Sequence, residues 1–217
     1  MINIRDMLFE YPHSGFALRA GELNVAAGQT AALIGPSGSG KTTMLHIAAG
    51  ILLPKSGTVR ISDTEISSRP DAERRAFRIA NIGLIFQEFE LLEYLTVRQN
   101  ILLPYRINPA IKLNAAARDQ AATLAESMGI SETLDRRPDR LSQGQRQRVA
   151  ICRALVTDPQ IILADEPTGN LDPKTSRSIV QVILEQAARR KATVLMVTHD
   201  HSLLDRFDRV IDLEEIQ

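Results

Sequence analysis

Cysteine occurs once in the 217 residues, at Cys152, so no internal disulfide framework can hold this chain, and a reducing compartment suits it. Net charge is missing as well. The 26 Lys+Arg balance 26 Asp+Glu, which leaves no field favouring nucleic acid or an anionic membrane. No run approaches the roughly 18 consecutive apolar residues that span a bilayer. The start, Met-Ile-Asn-Ile-Arg-Asp, lacks the basic residues and apolar stretch of a secretion signal. Internal repeats, low-complexity tracts and long linkers are also absent from the sequence. The expected location is cytoplasmic, and any membrane role is expected to come through another polypeptide.

What is present is an ordinary globular balance, with 44% hydrophobic and 24% charged residues in a length that fits one large α/β domain with a small inserted subdomain. Thr30–Ile34, Ile161–Ala164 and Thr193–Val197 are apolar runs too short for helices, each ending at a polar residue, and they read as buried parallel strands. Ligands of such sheets gather at the carboxyl ends of the strands. Helical segments are predicted over Lys41–Ala49, Leu113–Met128, Gln143–Val156 and Thr175–Arg190, the third ended by Asp158-Pro159. Ile2–Phe9 and Phe16–Val25, broken by Pro12, Gly15 and Gly21, suggest an antiparallel sheet beside the parallel one. Residues from about 88 to 157 break the strand alternation and read as an inserted helical subdomain between core segments of about 1–87 and 158–217.

Gly35-Pro36-Ser37-Gly38-Ser39-Gly40-Lys41-Thr42 follows a predicted strand and opens a predicted helix, which is the context of a phosphate-binding loop. Glycines let backbone N–H groups wrap phosphate oxygens, and the helix directs its positive end at the same anion. Lys41 is expected to bridge the outer phosphates, Thr42 to bind Mg²⁺, and Thr43 to continue the nucleotide contact. His46, farther along the helix, reads as a core or surface histidine, and His13 and His201 carry no functional signal.

Asp165 and Glu166 end a buried strand, and adjacent strand residues point in opposite directions, so the two carboxylates can take separate tasks. Asp165 is suited to hold Mg²⁺ through its water shell, and Glu166 to accept a proton from, or orient, the water attacking a γ-phosphate. By itself the dipeptide also fits a solvated turn before Pro167. His199 ends another predicted strand, where it could hydrogen-bond the γ-phosphate and help hold the attacking water.

Leu141-Ser142-Gln143-Gly144-Gln145 has two readings. Ser-x-x-Gln is an ordinary capping box for the helix that follows. The pentad also stands in an ordered company: the phosphate loop, Phe86-Gln87, the pentad itself, Asp165-Glu166, Asn170-Leu171-Asp172 and Thr198-His199-Asp200. In that order they resemble the nucleotide-binding subunit of ABC transporters, from Tyr11 to about residue 212. The resemblance implies a P-loop NTPase fold with an N-terminal antiparallel β-subdomain and a helical subdomain. It implies that two copies pack head to tail around two Mg-ATP, each ATP lying on one phosphate loop and facing the other copy's Ser142, Gly144 and Gln145. It further implies that Tyr11 stacks on adenine, that Gln87 touches Mg²⁺ and the attacking water, and that Asp172 lets one site sense the other. The usual glycine at the pentad's third position is here Gln143, which could add a contact or crowd the interface.

Ile82-Gly-Leu-Ile-Phe-Gln-Glu-Phe-Glu-Leu-Leu, Leu95-Thr96, Asn100-Ile101 and Asp165-Glu-Pro-Thr-Gly-Asn-Leu-Asp172 resemble the LolD-, MacB- and FtsE-like branch. The resemblance implies a separate transmembrane permease subunit, with the chain peripheral on the inner membrane face and powering export, lipoprotein release or mechanotransmission. Leu91, Leu92, Tyr94 and Leu95 fit either an apolar groove for a short helix of that partner or the core of the helical subdomain. Arg136, Arg137, Arg140, Arg146 and Arg148 read as a solvated face, and Cys152 as a small buried residue. The competing function, a soluble ABC-type ATPase acting on nucleic acid or ribosomes, lacks its usual coiled-coil, zinc or tandem-cassette elements here. A phosphate-loop kinase or GTPase leaves the pentad and His199 unexplained.

Overall fold

Two sheets carry the fold in a computed structural model that describes residues 1–12 and 15–217. In chain order the elements are β1 (Ile2–Glu10), β2 (Ala17–Val25), β3 (Thr30–Ile34), α1 (Lys41–Ala48), β4 (Ser56–Ile61), β5 (Thr64–Glu65), α2 (Asp71–Asn81) and β6 (Ile82–Ile85). There follow α3 (Val97–Ile101), α4 (Pro104–Ile107), α5 (Ala115–Ser127), α6 (Gln143–Leu155), β7 (Ile161–Asp165), α7 (Pro173–Arg190), β8 (Thr193–Val197) and β9 (Arg209–Asp212). An antiparallel sheet of order β2-β1-β4-β5 lies beside a wholly parallel one of order β6-β7-β8-β3-β9. His13 lies outside the described residues.

The central strands β7 and β8 are buried along their whole length and, apart from Thr193 and Asp165 at their ends, apolar, because both of their faces are covered, whereas the edge strand β9 carries Arg209 and an exposed Val210. The parity of β7 and β8 divides the interior. Ile161, Leu163, Leu195 and Val197 face the side of α1 and the antiparallel sheet, whereas Ile162, Ala164, Val194 and Met196 join α5, α6 and α7. At about 1.5–3 kcal/mol for each large apolar side chain removed from water, this two-faced burial supplies the main driving force. Gly83 allows a close approach: a Cβ there would stand 2.5 Å from the Ala154 carbonyl, so any larger residue would push α6 off β6.

Helix starts follow local chemistry. Asn114 caps α5 by accepting from Ala117 N–H at 2.8 Å. Asp172 caps α7 by accepting from Lys174 and Thr175, and Pro173 opens that helix two residues before the sequence expectation. Between residues 88 and 157 lie α3 to α6, of which α5 and α6 fall within the helices expected at Leu113–Met128 and Gln143–Val156, while α3, α4, β4, β5 and α2 have no counterpart among the sequence expectations. The missed α2 had a signal, since Ala72, Ala76 and Ile79 recur at helical spacing.

Candidate active site

The loop from β3 to α1 turns at Gly40, whose φ of 103° favours glycine and whose added Cβ would lie 3.0 Å from Phe16 and Leu18. Lys41 folds back on this loop and donates to the Gly35 and Pro36 carbonyls at 2.9 and 2.7 Å. Ser39 Oγ is buried there without a hydrogen-bond partner. A polyanion on the loop would give both groups oxygens to meet, while the α1 N-terminus adds its positive dipole end. Ser37, Gly38 and Thr43 line the cavity above, of about 260 Å³, with Tyr11 on one wall and Glu166 on another. The Tyr11 hydroxyl lies 3.2 Å from Thr43 Oγ1, and its ring stands edge-on to Phe9, at 4.7 Å and 90°. That fixes an aromatic face at the cavity mouth.

Strand parity gives Asp165 and Glu166 their different settings. Asp165, on the α1 side, accepts from the Thr42 hydroxyl at 3.2 Å. Burial raises its carboxyl above the usual range, opposed by the Thr42 bond and by the nearby His46 and Lys41. Thr42 and Asp165 are hard oxygen donors of the kind magnesium prefers. Among the described residues no cluster of three or more His, Cys, Asp or Glu could hold a metal, so such an ion would take its remaining ligands from phosphate and water.

Glu166 adopts a left-handed backbone, φ 41°, which costs a non-glycine residue roughly 1–2 kcal/mol. Two backbone bonds hold it: its N–H donates to Val197 O at 3.1 Å, and its carbonyl accepts from Gly169 N at 3.0 Å. The turn aims Glu166 Oε2 at His199 Nδ1, 3.1 Å away. Just before it, Thr198 is buried and donates its N–H to Leu33 O at 3.3 Å, tying the end of β8 to the strand that leads into the phosphate loop.

Gln87 follows β6. Its side-chain nitrogen would lie 2.9 Å from a Cβ placed on Gly169, so the two loops touch, and Asn170 Nδ2 donates to the Gln87 carbonyl at 3.4 Å. Phe89 and Glu90 come next with φ of 55° and 50°, two consecutive left-handed residues. Arg153 of α6 donates to both of their carbonyls, at 2.7 Å to Phe89. Burial brings its guanidinium down to about 10, opposed by Glu90, so it stays charged at neutral pH.

Ser142 and Gln145 form the capping box that the sequence allows: Gln145 N–H donates to Ser142 Oγ at 3.3 Å and Ser142 N–H to Gln145 Oε1 at 3.0 Å. None of Ser142, Gln143, Gly144 or Gln145 lines the phosphate-loop cavity, and Ser142 and Gln143 are exposed. Gly144 packs toward α7, where an added Cβ would meet Thr175 at 3.5 Å, an ordinary contact. Asp172, the cap of α7, is held below the usual carboxylate range by hydrogen bonding from Thr175. In the basic run, Arg146 and Arg148 donate to the carbonyls of Pro138 and Met128, while Arg136, Arg137 and Arg140 are exposed. Cys152 is fully buried and its thiol is pushed up to about 12, as suits an inert packing residue.

An apolar groove of about 360 Å³ lies between α2, β6, α4 and α6, floored by Ile79, Leu84, Phe86 and Leu103. Leu91, Leu92, Tyr94 and Leu95 do not line it. Leu91 packs on the interior cluster and Tyr94 is 70% exposed. Buried Asn100 ties their segment to α3, accepting from Leu92 N–H and donating to the carbonyls of Leu92, Leu95 and Thr96.

The sequence pattern of the ABC transporter family matches residues 18–169. The lipoprotein-releasing system ATP-binding protein LolD of Xanthomonas oryzae pv. oryzae is 39% identical over 89% of this chain and 79% of its own. LolD 1 of Rhodopirellula baltica is 39% identical over 98% and 93%. Among solved structures, the dimeric ATP-binding cassette MJ0796 in a post-hydrolysis state bound to ADP and Pi superposes with a TM-score of 0.87. It is 34% identical and covers 98% of this chain and 94% of its own.

Proposed function

The chain belongs to the ABC transporter family, and from that premise we propose that it is the ATPase of a membrane-coupled complex in which two copies close head to tail on two Mg-ATP. One observation carries the reading. Thr42, bonded to Asp165, and Glu166, paired with His199, line one phosphate-loop cavity, while the Ser142–Gln145 cap stands outside it. A second copy would bring that cap to the open side of the nucleotide.

The roles follow from chemistry. Tyr11 offers its ring to the base. The backbone N–H groups of the loop from Ser37 to Thr43 and the Lys41 ammonium receive the phosphates once the anion draws Lys41 from the Gly35 and Pro36 carbonyls, Pro36 itself having no N–H to give. Thr42, Asp165 and Gln87 would hold Mg²⁺, which, when bound, neutralises developing phosphate charge. Glu166 takes a proton from, or orients, the attacking water, and His199 holds the Glu166 carboxylate and the γ-phosphate in register. Ser142, Gly144 and Gln145 donate to the partner copy's nucleotide, and Asp172 lies where it can report on the opposite site. In this reading the core, about 1–87 and 158–217, moves against a helical arm, about 88–157.

A separate permease subunit would dock a short helix in the apolar groove, holding the chain at the cytoplasmic membrane face. The LolD relatives support lipoprotein release or a related export or mechanotransmission task. The test is size-exclusion chromatography of Glu166→Gln with and without Mg-ATP. An ATP-dependent dimer with turnover abolished is the expected result, and monomeric elution at saturating ATP would overturn the reading.

A further inference from the structure

The groove and the catalytic loop share one side chain. Arg153 lines the groove together with Glu90, and the same guanidinium donates to the carbonyls of Phe89 and Glu90. Both of those residues are left-handed without being glycine, a backbone state that persists only when its surroundings enforce it. Beyond them the chain reaches Gln87, whose carbonyl is held from the other side by Asn170 and whose amide lies on Gly169, next to the turn of Glu166. The loop is thus fixed at two points, and one of them is open to the groove.

We propose that Arg153 is the positioning residue of the Gln87 loop: its fork of donors holds the strained Phe89–Glu90 turn and so sets where Gln87 stands at the active site. A planar guanidinium can serve two carbonyls at once, whereas an ammonium in its place cannot reproduce the fork.

The inference rests on the ATPase reading, and the test separates the two. Mg-ATPase rates, ATP affinity and melting temperature are measured on the full chain, on Arg153→Lys, on Arg153→Ala and on the double variant Arg153→Ala/Glu90→Gly. Arg153→Lys is expected to lose about ten- to a hundredfold in kcat, the scale of a misplaced catalytic loop, with KM for ATP and melting temperature near wild type. Glycine accepts φ above zero without strain, so the double variant, which relieves Glu90 but not Phe89, is expected to recover part of the turnover lost in Arg153→Ala. Wild-type turnover in Arg153→Lys, or no recovery in the double variant, would overturn the inference alone. A wild-type chain without any ATP turnover would overturn the ATPase reading and the inference with it.

Discussion

His199 Nδ1 stands 3.1 Å from Glu166 Oε2 across 33 residues of sequence, because Glu166 leaves β7 in a left-handed turn beside the end of β8. The pair places an orienting group against the candidate base. His199→Ala is expected to lower kcat by about 10²-fold, within the range of a positioned proton-transfer group, while nucleotide affinity in a fluorescent-ATP titration stays near wild type. Equal losses in affinity and turnover would assign His199 to binding instead.

Asp165 carries a stability cost at neutral pH. Burial raises its carboxyl, and a raised carboxyl favours folding below its unfolded value and loses that benefit as pH rises through the folded value. At neutral pH the desolvated charge therefore opposes folding. Asp165→Asn keeps an acceptor for Thr42 and is expected to raise the melting temperature at pH 7. The gain should vanish below about pH 4, where the unfolded carboxyl also protonates. Mg-dependent ATPase should fall to background, and a lower melting temperature at pH 7 would contradict the argument.

Tyr11 offers a face rather than a charge. Removing the ring in Tyr11→Ala should weaken ATP binding by about 5- to 150-fold, equivalent to 1–3 kcal/mol for a base–aromatic stack. Tyr11→Phe keeps the edge-on contact with Phe9 and loses only the hydroxyl near Thr43, so its affinity should remain within about threefold of wild type. Calorimetric titration distinguishes the two, and similar losses in both variants would place the contribution in the hydroxyl.

Gly144 and Gln143 test the cap's outward role. A Cβ at Gly144 meets Thr175 at an ordinary 3.5 Å, and alanine suits a helix by about 1 kcal/mol over glycine. Gly144→Ala should thus hold or raise the melting temperature while weakening the ATP-dependent dimer of the Glu166→Gln background. Gln143 is exposed at the first position of α6, and Gln143→Gly should tighten that dimer with monomer stability changed by about 0.5 kcal/mol or less. Analytical ultracentrifugation reads both, and a dimer insensitive to either change would refute a role for the cap at the interface.

The sequence by itself determined what depends on near neighbours. Thr30–Ile34 and Thr193–Val197 have the strand limits expected of short apolar runs, because burial on both faces leaves no polar alternation to misread. The phosphate loop, the Ser142 capping box and the order of motifs were legible too, since each is a short run of fixed residue types. Tertiary structure decided what depends on residues brought together from distant segments. It decided between the two readings of Leu91, Leu92, Tyr94 and Leu95: none of them lines the apolar groove over Ile79, Leu84, Phe86 and Leu103, Leu91 packs on the interior cluster, and buried Asn100 binds their segment to α3. It also joined Arg153 to the Phe89 and Glu90 carbonyls over more than 60 residues, a contact with no sequence signal. A carbonyl acceptor has no residue type, so its partner is visible only once the chain has folded.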